Sequence, residues 1–142
     1  MNFETVDLTI QVRPNDLDSS GHVNNATIME YLEAGRWSWL KHHYLARGQR
    51  IIPVVARVEI NYRHEIWLEE VRVITKLKEA EKPLYYQVSF EQSIEIFKDE
   101  VATIATEAIV KVAFIDSMER TIRTLQDFLD DMKTANELIG LT

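Results

Sequence analysis

One stretch of the chain, DLDSSGHVNNA at residues 16–26, combines side chains that could do chemistry with turn-forming residues that could hold them in place. Asp16 and Asp18 lie two residues apart, and a glycine, a histidine and two asparagines follow closely. A long segment rich in helix formers comes next. A carboxylate in this position would lie close to the N-terminus of a helix, where unpaired N–H groups and the helix dipole favour negative charge. The pattern therefore predicts a chemical site at the start of a helix.

The same residues also fit a purely structural turn. Aspartate side chains accept hydrogen bonds from nearby backbone N–H groups, and Gly21 suits a backbone with positive φ. Either Asn24 or Asn25 suits the N-cap of a helix. Residue spacing alone does not separate the chemical interpretation from the structural one.

Other polar residues have ordinary explanations as well. Glu33 and Arg36 stand three residues apart and predict an ion pair on a helix surface, although Glu33 could instead line a pocket. His64 falls where a strand should end and is expected to face solvent. The chain has no cysteine, no H-E-x-x-H motif, no cluster with metal-ligand spacing and no glycine-rich nucleotide motif. We therefore expect neither a metal nor a cofactor.

The composition limits the class of protein. A chain of 142 residues is the size of one domain, and we expect a single domain over residues 1–142. The net charge of −7 disfavours nucleic acid as a partner, because phosphate backbones require basic patches. No apolar run approaches the length of a membrane span, and the N-terminus lacks the pattern of a secretory signal. We expect a soluble, cytoplasmic protein with no membrane contact.

Hydrophobic periodicity predicts the elements that must position the motif. Alternation predicts a strand over residues 6–12, and a broadly apolar pattern predicts a helix from about Asn25 to about Arg47, buried on most sides. Alternation then returns in residues 54–62, 71–77, 84–96 and 101–115, and a short amphipathic helix follows from Leu125. This order predicts an α+β fold, in which an antiparallel sheet of five to six strands wraps around one long helix.

The motif and its surroundings resemble a known family. DLDSSGHVNN, the following YLEAGR and the later RVEINYRHEI resemble the hotdog-fold thioesterases, in particular the 4-hydroxybenzoyl-CoA thioesterase-like acyl-CoA thioesterases. Acyl-ACP thioesterases share the motif. The resemblance covers essentially the whole chain and implies a hotdog fold, with a curled sheet around a central helix. It also implies a homodimer or a dimer of dimers, with active sites at the subunit interface.

The resemblance implies roles for individual residues. The second aspartate of the motif, Asp18, corresponds to the catalytic carboxylate, and the backbone N–H of Asn25 corresponds to the oxyanion donor. His22 corresponds to an assisting residue. Ser20 stands where the acyl-ACP branch has an asparagine, which favours acyl-CoA over acyl-ACP as the substrate. Asp18 could attack the thioester carbonyl directly or could activate water, and the sequence leaves both routes open.

Substrate binding requires further residues. CoA carries a 3′-phosphate and a diphosphate, so an acidic chain needs local cations to hold it. The predicted substrate-binding residues are Ser20, Gly21, Asn24, Glu33, Arg57, Arg63 and His64, and Lys82 is a further cation beside a predicted strand end.

The resulting hypothesis is an acyl-CoA thioesterase that releases a free acid and CoA. The alternatives are a hotdog protein that binds acyl thioesters or assembles without turnover, and an acyl-ACP thioesterase. Asp18 favours the enzyme, because a binding protein has no need of an ionised carboxylate at the end of a helix.

Overall fold

The helices and strands follow the predicted order. The computed structural model describes residues 2–48, 50–78 and 85–140. The elements are β1 (Val6–Gln11), a short 3₁₀ helix (Pro14–Asp16), α1 (Asn25–His42), β2 (Ile51–Tyr62), β3 (Glu70–Leu77), β4 (Gln87–Lys98), β5 (Val101–Asp116), β6 (Ile122–Arg123) and α2 (Leu125–Leu138). The α+β arrangement predicted from the sequence is confirmed.

The strands form one curled, antiparallel sheet of six strands. Its order is β1-β3-β4-β5-β2, and the short β6 pairs with β5. Helix α1 packs across the sheet against β1, β3 and β4. Strand β2 pairs with β5, and its other edge has no strand partner among the described residues.

Helix α1 is held by its N-cap and by a buried stripe. Asn24 has an extended backbone, and its Oδ1 accepts hydrogen bonds from the N–H groups of Ala26 (2.7 Å) and Thr27 (3.2 Å). A stripe of residues at helical spacing, Ile28, Leu32, Gly35 and Trp39, is buried against the sheet. Burial of this stripe removes apolar surface from water and anchors the helix.

Two features of α1 differ from the prediction. The helix ends at His42 rather than near Arg47, because Tyr44 adopts a φ of 58° and the N–H of Leu45 turns back to the Leu40 carbonyl at 2.8 Å. The helix is also less buried than expected, since Met29 is 36% exposed and Trp37 is 51% exposed. No helix in the described part of the chain is long and apolar enough to cross a membrane.

The strands differ from the prediction mainly at their ends. β2 begins at Ile51 and contains Pro53, which pairs with Phe114 in register. Proline is tolerated there because β2 is an edge strand, whose outward N–H positions need no partner. The third predicted strand was expected to begin at Leu84, which lies outside the described residues, and β4 begins at Gln87.

Gly35 allows α1 to approach the sheet closely. A Cβ atom at this position would lie 2.6 Å from Val73 Cγ1 and 2.8 Å from Thr75 Oγ1, both on β3. It would also lie 3.0 Å from Gln92 Nε2 on β4. Any side chain here would therefore force the helix away from β3 and β4.

The turn before α2 is a closed hydrogen-bonded unit around Asp116. This residue is 1% exposed, and its carboxylate accepts hydrogen bonds from the backbone N–H groups of Met118 (2.9 Å) and Glu119 (3.0 Å). The Nε atom of Arg50 donates a third at 2.7 Å, and Arg123 lies within ion-pair distance at 3.6 Å. The charge of Asp116 is therefore matched by cations as well as by amides.

The N-terminus of α2 is likewise satisfied. Thr124 and Asp127 form a capping box, in which each side chain accepts a hydrogen bond from the other residue's backbone N–H. The N–H of Leu125, the first residue of the helix, donates to the Tyr85 carbonyl at 2.8 Å. The N–H groups of Leu125 and Asp127 are therefore used in holding the fold together.

Candidate functional site

The loop before α1 folds back on itself and presents Asp18. An isolated bridge pairs Leu17 with Val23 and closes the loop. In the turn between them, Asp18 Oδ1 accepts hydrogen bonds from the backbone N–H groups of Ser20 (2.9 Å) and His22 (3.2 Å). Within the described residues, no group donates to the other carboxylate oxygen. The turn-forming interpretation of Asp18 is confirmed, and one carboxylate oxygen is left available.

Asn25 begins the helix with a free N–H group. The cap residue is Asn24, which settles the alternative left open by the sequence, and it satisfies the N–H groups of Ala26 and Thr27. No acceptor for the N–H of Asn25 is found in the described ranges, and the first turn of α1 carries no acidic side chain. This end of the helix therefore keeps an unsatisfied donor and its partial positive charge.

Asp16, the other aspartate of the motif, is a structural anchor. It is 5% exposed, and its carboxylate accepts hydrogen bonds from the Tyr31 hydroxyl (2.7 Å) and from the N–H of Arg13 (3.0 Å). The bond from Tyr31 is the main cause that lowers the pKa of Asp16, while burial acts in the opposite direction. Since the Asp16 carbonyl also accepts from the N–H of Asn24 at 3.3 Å, the anchor fixes the loop to the helix cap.

The connection between β2 and β3 covers one side of the loop. His22 Nε2 lies 3.2 Å from Glu65 Oε2, and the imidazole meets the Trp67 indole edge to face, with ring centroids 4.1 Å apart. Gly21 has a φ of 85° and lies beside the same indole, since a Cβ there would be 3.5 Å from the ring. The sequence pattern did not indicate a role for Glu65 or Trp67, because their proximity to His22 depends on the tertiary fold.

The two predicted arginines of the CoA site are already engaged by glutamates. Arg57 lies at a bulge in the interior of β2 rather than at a strand end, and it forms an ion pair with Glu59 at 2.7 Å. Arg63 forms an ion pair with Glu107 at 2.8 Å. Both side chains are more than half exposed, so the pairs are weak and an incoming phosphate could compete with the glutamates.

A smaller basic pair lies just after β2. His64 Nδ1 lies 2.8 Å from the Glu65 carbonyl, and His64 Nε2 contacts the Lys98 ammonium group at the end of β4. Lys98 is a further cation, which the sequence pattern did not indicate. The predicted cation Lys82 lies outside the described residues. No group of histidine, aspartate and glutamate side chains in the described chain could hold a metal ion.

An apolar cavity lies between the C-terminal half of α1, the sheet and α2. Its volume is about 670 Å³ including the open mouth. Among the described residues, its only charged lining groups are Glu33 and Arg36, and the rest are apolar side chains such as Trp37, Leu40, Phe90 and Phe114. The ion pair predicted between Glu33 and Arg36 does not form within 4.0 Å, and Glu33 lines the cavity instead.

The fold and the loop together define the class of protein. A curled antiparallel sheet wraps around α1 as in a hotdog fold, and a carboxylate turn precedes the central helix. Residues 12–134 match the model of a family described as the thioesterase-like superfamily. This match covers most of the chain, and the protein belongs to that superfamily.

Comparison with individual proteins gives the same family. The chain is 38% identical over 69 residues to long-chain acyl-CoA thioesterase FadM of Escherichia coli (strain K12), a match that covers 46% of this chain and 52% of FadM. It therefore spans about half the length of that curated relative. The predicted resemblance to acyl-CoA thioesterases is confirmed at this level.

Two solved structures share the hotdog fold. A probable thioesterase from Bartonella henselae has a TM-score of 0.69 at 24% identity, with 85% of this chain and 97% of that chain covered. A mutant of 4-hydroxybenzoyl-CoA thioesterase complexed with 4-hydroxybenzoyl-CoA has a TM-score of 0.71 at 11% identity, with 89% and 96% covered. At these identities the likeness concerns the fold, and it confirms the predicted architecture.

Proposed function

We propose that the protein hydrolyses an acyl-CoA thioester to a free acid and CoA, with Asp18 and the N–H of Asn25 acting on the same carbonyl. The observation that carries this proposal is the free N–H at the start of α1, beside a turn that leaves one Asp18 oxygen available. Family membership and the similarity to FadM support the reaction class.

The chemistry requires both groups. Attack on a thioester carbonyl places negative charge on its oxygen, and a helix N-terminus with an unsatisfied N–H stabilises that charge. The free oxygen of Asp18 can take a proton from water that attacks the carbonyl, or it can attack the carbonyl itself, so that the C–S bond breaks, CoA leaves as its thiolate and water then hydrolyses the resulting anhydride. The anhydride route alone places the acyl group on Asp18, so mass spectrometry of rapidly quenched enzyme distinguishes the two routes.

His22, Ser20, Gly21 and Asn24 support this arrangement. The backbone N–H groups of Ser20 and His22 hold the Asp18 carboxylate, and we assign His22 an assisting role on that basis. Asn24 caps the helix and leaves the neighbouring N–H free. The exposed indole of Trp67 beside Gly21 offers an apolar surface for the arm of CoA near the thioester.

The remaining binding residues fall into two groups. Glu33 lines the apolar cavity, which we assign to the acyl group. Arg57, Arg63 and His64 are assigned to the phosphates of CoA, with Lys98 adding charge beside His64. Binding of a polyanion by a chain with a net charge of −7 should weaken with added salt.

One edge of β2 has no strand partner among the described residues, and this edge supports a homodimer or a dimer of dimers. This edge carries the exposed side chains of Ile52 (42%) and Val55 (48%), and an open apolar edge strand is a surface for pairing with a second chain. Light scattering after gel filtration measures the mass directly. A double Ile52→Lys, Val55→Lys variant is expected to reduce it to that of one chain.

The reaction itself is tested by thiol release from short, medium, long and aromatic acyl-CoAs and from acyl-ACP. Wild type is compared with Asp18→Asn, and Asp130→Asn on the exposed face of α2 is the matched control. We expect Asp18→Asn to lose roughly 100-fold or more in kcat while it keeps its fold, because general acid–base catalysis contributes about that much. Asp130→Asn should retain the wild-type rate.

The outcomes separate the candidate functions. Hydrolysis of acyl-ACP but of no acyl-CoA would assign the protein to the acyl-ACP alternative. Equal inactivity of wild type and Asp18→Asn on every thioester would reject the enzyme and favour a binding or assembly protein. The cytoplasmic location is a further prediction, which cell fractionation tests.

A further inference from the structure

The cavity beside α1 contains a guanidinium group that the proposed hydrolysis does not use. Arg36 lines the cavity, where Glu33 is the only other charged lining group among the described residues, and it donates from Nη1 to Gln92 Oε1 at 3.0 Å. Within the described residues it forms no ion pair within 4.0 Å and no other hydrogen bond. A guanidinium carries several N–H donors, so most of those on Arg36 are left for another acceptor.

Gln92 holds this guanidinium in a fixed orientation. The amide is 4% exposed, and its Nε2 donates to the Leu32 carbonyl (2.8 Å) and to Thr75 Oγ1 (2.9 Å). Because the Leu32 carbonyl can only accept, the NH₂ end of the amide must point at it, and Oε1 must point at Arg36. The cation is therefore preorganised by a buried side chain.

The position of Arg36 places it along the expected path of an acyl group. Met29, Glu33, Arg36 and Leu40 follow at helical spacing and share one flank of α1, which runs from the helix start into the cavity. Gln92 binds the helix at Leu32, which lies seven residues after Asn25 and so about 10 Å along the axis. An extended octanoyl chain on a thioester at Asn25 is of similar length.

The charge of Arg36 is incompletely compensated. Burial lowers the pKa of the guanidinium, which reflects the cost of keeping a cation in an apolar environment, and the nearby charge of Glu33 acts in the opposite direction. A plain alkyl chain would remove water from Arg36 without supplying an acceptor. A chain with an oxygen atom at this depth would replace the lost water.

We propose that Arg36 binds an oxygen atom near the distal end of the substrate's acyl group, so that the protein selects oxygenated medium-chain acyl thioesters over plain alkyl ones. This inference rests on the proposed thioesterase function for the direction of the acyl group. The acceptor is a hydroxyl or a carboxylate oxygen, and a matched set of eight-carbon substrates tests both.

The experiment compares octanoyl-CoA, ω-hydroxyoctanoyl-CoA and suberoyl-CoA on wild type, Arg36→Met, Arg36→Lys and Arg47→Met. Arg47 is exposed and has no assigned role in binding or catalysis, so Arg47→Met controls for the loss of one positive charge. We expect wild type to show KM values about tenfold lower for the oxygenated substrates than for octanoyl-CoA. Arg36→Met should lose this preference, because it removes both the hydrogen-bond donor for the distal oxygen and the cost of dehydrating the cation, so the KM values for the three substrates should converge.

Rescue separates binding from a purely structural role. Arg36→Lys keeps the positive charge and should retain part of the preference for suberoyl-CoA, and Arg47→Met should retain all of it. Equal KM values for the three substrates in wild type, or an unchanged preference in Arg36→Met, would overturn the inference. If Arg36→Met does not fold, the wild-type preference and Arg36→Lys decide the question.

Calorimetry keeps this inference distinct from the proposed hydrolysis. The three substrates are titrated into Asp18→Asn and into Asp18→Asn with Arg36→Met, so that binding is measured without turnover. Tighter binding of the oxygenated substrates that depends on Arg36 supports the inference even if wild type hydrolyses none of them, which would reject the thioesterase alone. Equal affinities would reject the role of Arg36 even if hydrolysis is rapid.

Discussion

A turn that contains an aspartate precedes α1 and another precedes α2, and the two turns differ in their bonding. In each turn a carboxylate accepts two backbone N–H groups, from Ser20 and His22 at Asp18 and from Met118 and Glu119 at Asp116. Asp116 is buried and has cations as partners as well. Asp18 is exposed, and no cation pairs with it in the described part of the chain.

The helix ends that follow show the same contrast. At α2 the first N–H, that of Leu125, is bonded to Tyr85, and Asp127 adds negative charge in the first turn. At α1 the first N–H, that of Asn25, has no acceptor in the described ranges, and the first turn has no acidic residue. A turn whose carboxylate is bonded to cations, and whose helix begins with a bonded N–H, stabilises the fold, whereas a turn that leaves a carboxylate oxygen and the first helical N–H free can bind and convert a ligand.

The largest effect on activity is expected when the free N–H of Asn25 is removed. Asn25→Pro removes it at a position where proline is favoured, the first residue of a helix, and the extended backbone of Asn24 already suits a following proline. We expect kcat to fall roughly 100- to 1000-fold, the cost of one lost oxyanion donor, with little change in the thermal unfolding midpoint.

Asn25→Ala is the control, because it keeps the N–H and removes only the side chain. It should be far more active than the proline variant. A folded Asn25→Pro protein with wild-type kcat would show that this amide does not act on the substrate. Initial rates and thermal unfolding of the two variants are the measurements.

A substitution in the turn before α2 should have the opposite result, with an effect on stability and none on activity. Asp116→Asn should lower the midpoint of urea unfolding without lowering kcat per folded molecule. Hydrogen bonds from the N–H groups of Glu119 and Met118, and then Arg50, lower the pKa of Asp116, while burial opposes them. A lowered pKa stabilises the fold above the unfolded value of about 3.9, and this stability is lost as the pH falls through the folded value.

The stability of Asp116→Asn as a function of pH therefore tests whether the pKa of Asp116 is lowered in the folded protein. Wild type should lose stability as the pH drops below about 4, and the variant should lose less over the same range because it has no carboxylate to protonate there. Urea unfolding at neutral and acidic pH measures both. An identical acid response of the two proteins would contradict the role given to Asp116.

The smallest effects come from the two caps. Asn24→Ala and Thr124→Ala each remove a side-chain acceptor at a helix start, and each should lower the free energy of unfolding by about 1 kcal/mol. Only Asn24→Ala should also lower kcat, since it disturbs the helix end beside Asp18. Equal effects on kcat would mean that the two helix ends are functionally alike.

The sequence predicted the elements that have strong local patterns. Alternation identified β1 and β3 closely because their two faces differ in burial, and the helical pattern identified the start of α1 at Asn25. The end of α1 escaped prediction, since it depends on the positive φ of Tyr44, a residue with no special preference for that conformation.

Contacts distant in the sequence also escaped prediction. Tyr31 donates to the buried Asp16, a contact that the sequence pattern does not indicate. Trp67 was not connected with His22, and Arg36 was paired with Glu33 rather than with Gln92. A sequence pattern indicates which face of an element is buried, but the fold alone decides which polar group lies opposite.

Gly35 gives the protein a simple way to change its substrate range. The residue is absent from the cavity lining, yet it sets how closely α1 lies against β3 and β4, and so it sets the height of the space beneath the helix. A methyl group at this position would push α1 away from β3 and β4. The cavity would then be enlarged or tilted without a change in any of its lining residues. Under the proposed function, acyl selectivity could therefore be altered at a residue that does not line the cavity.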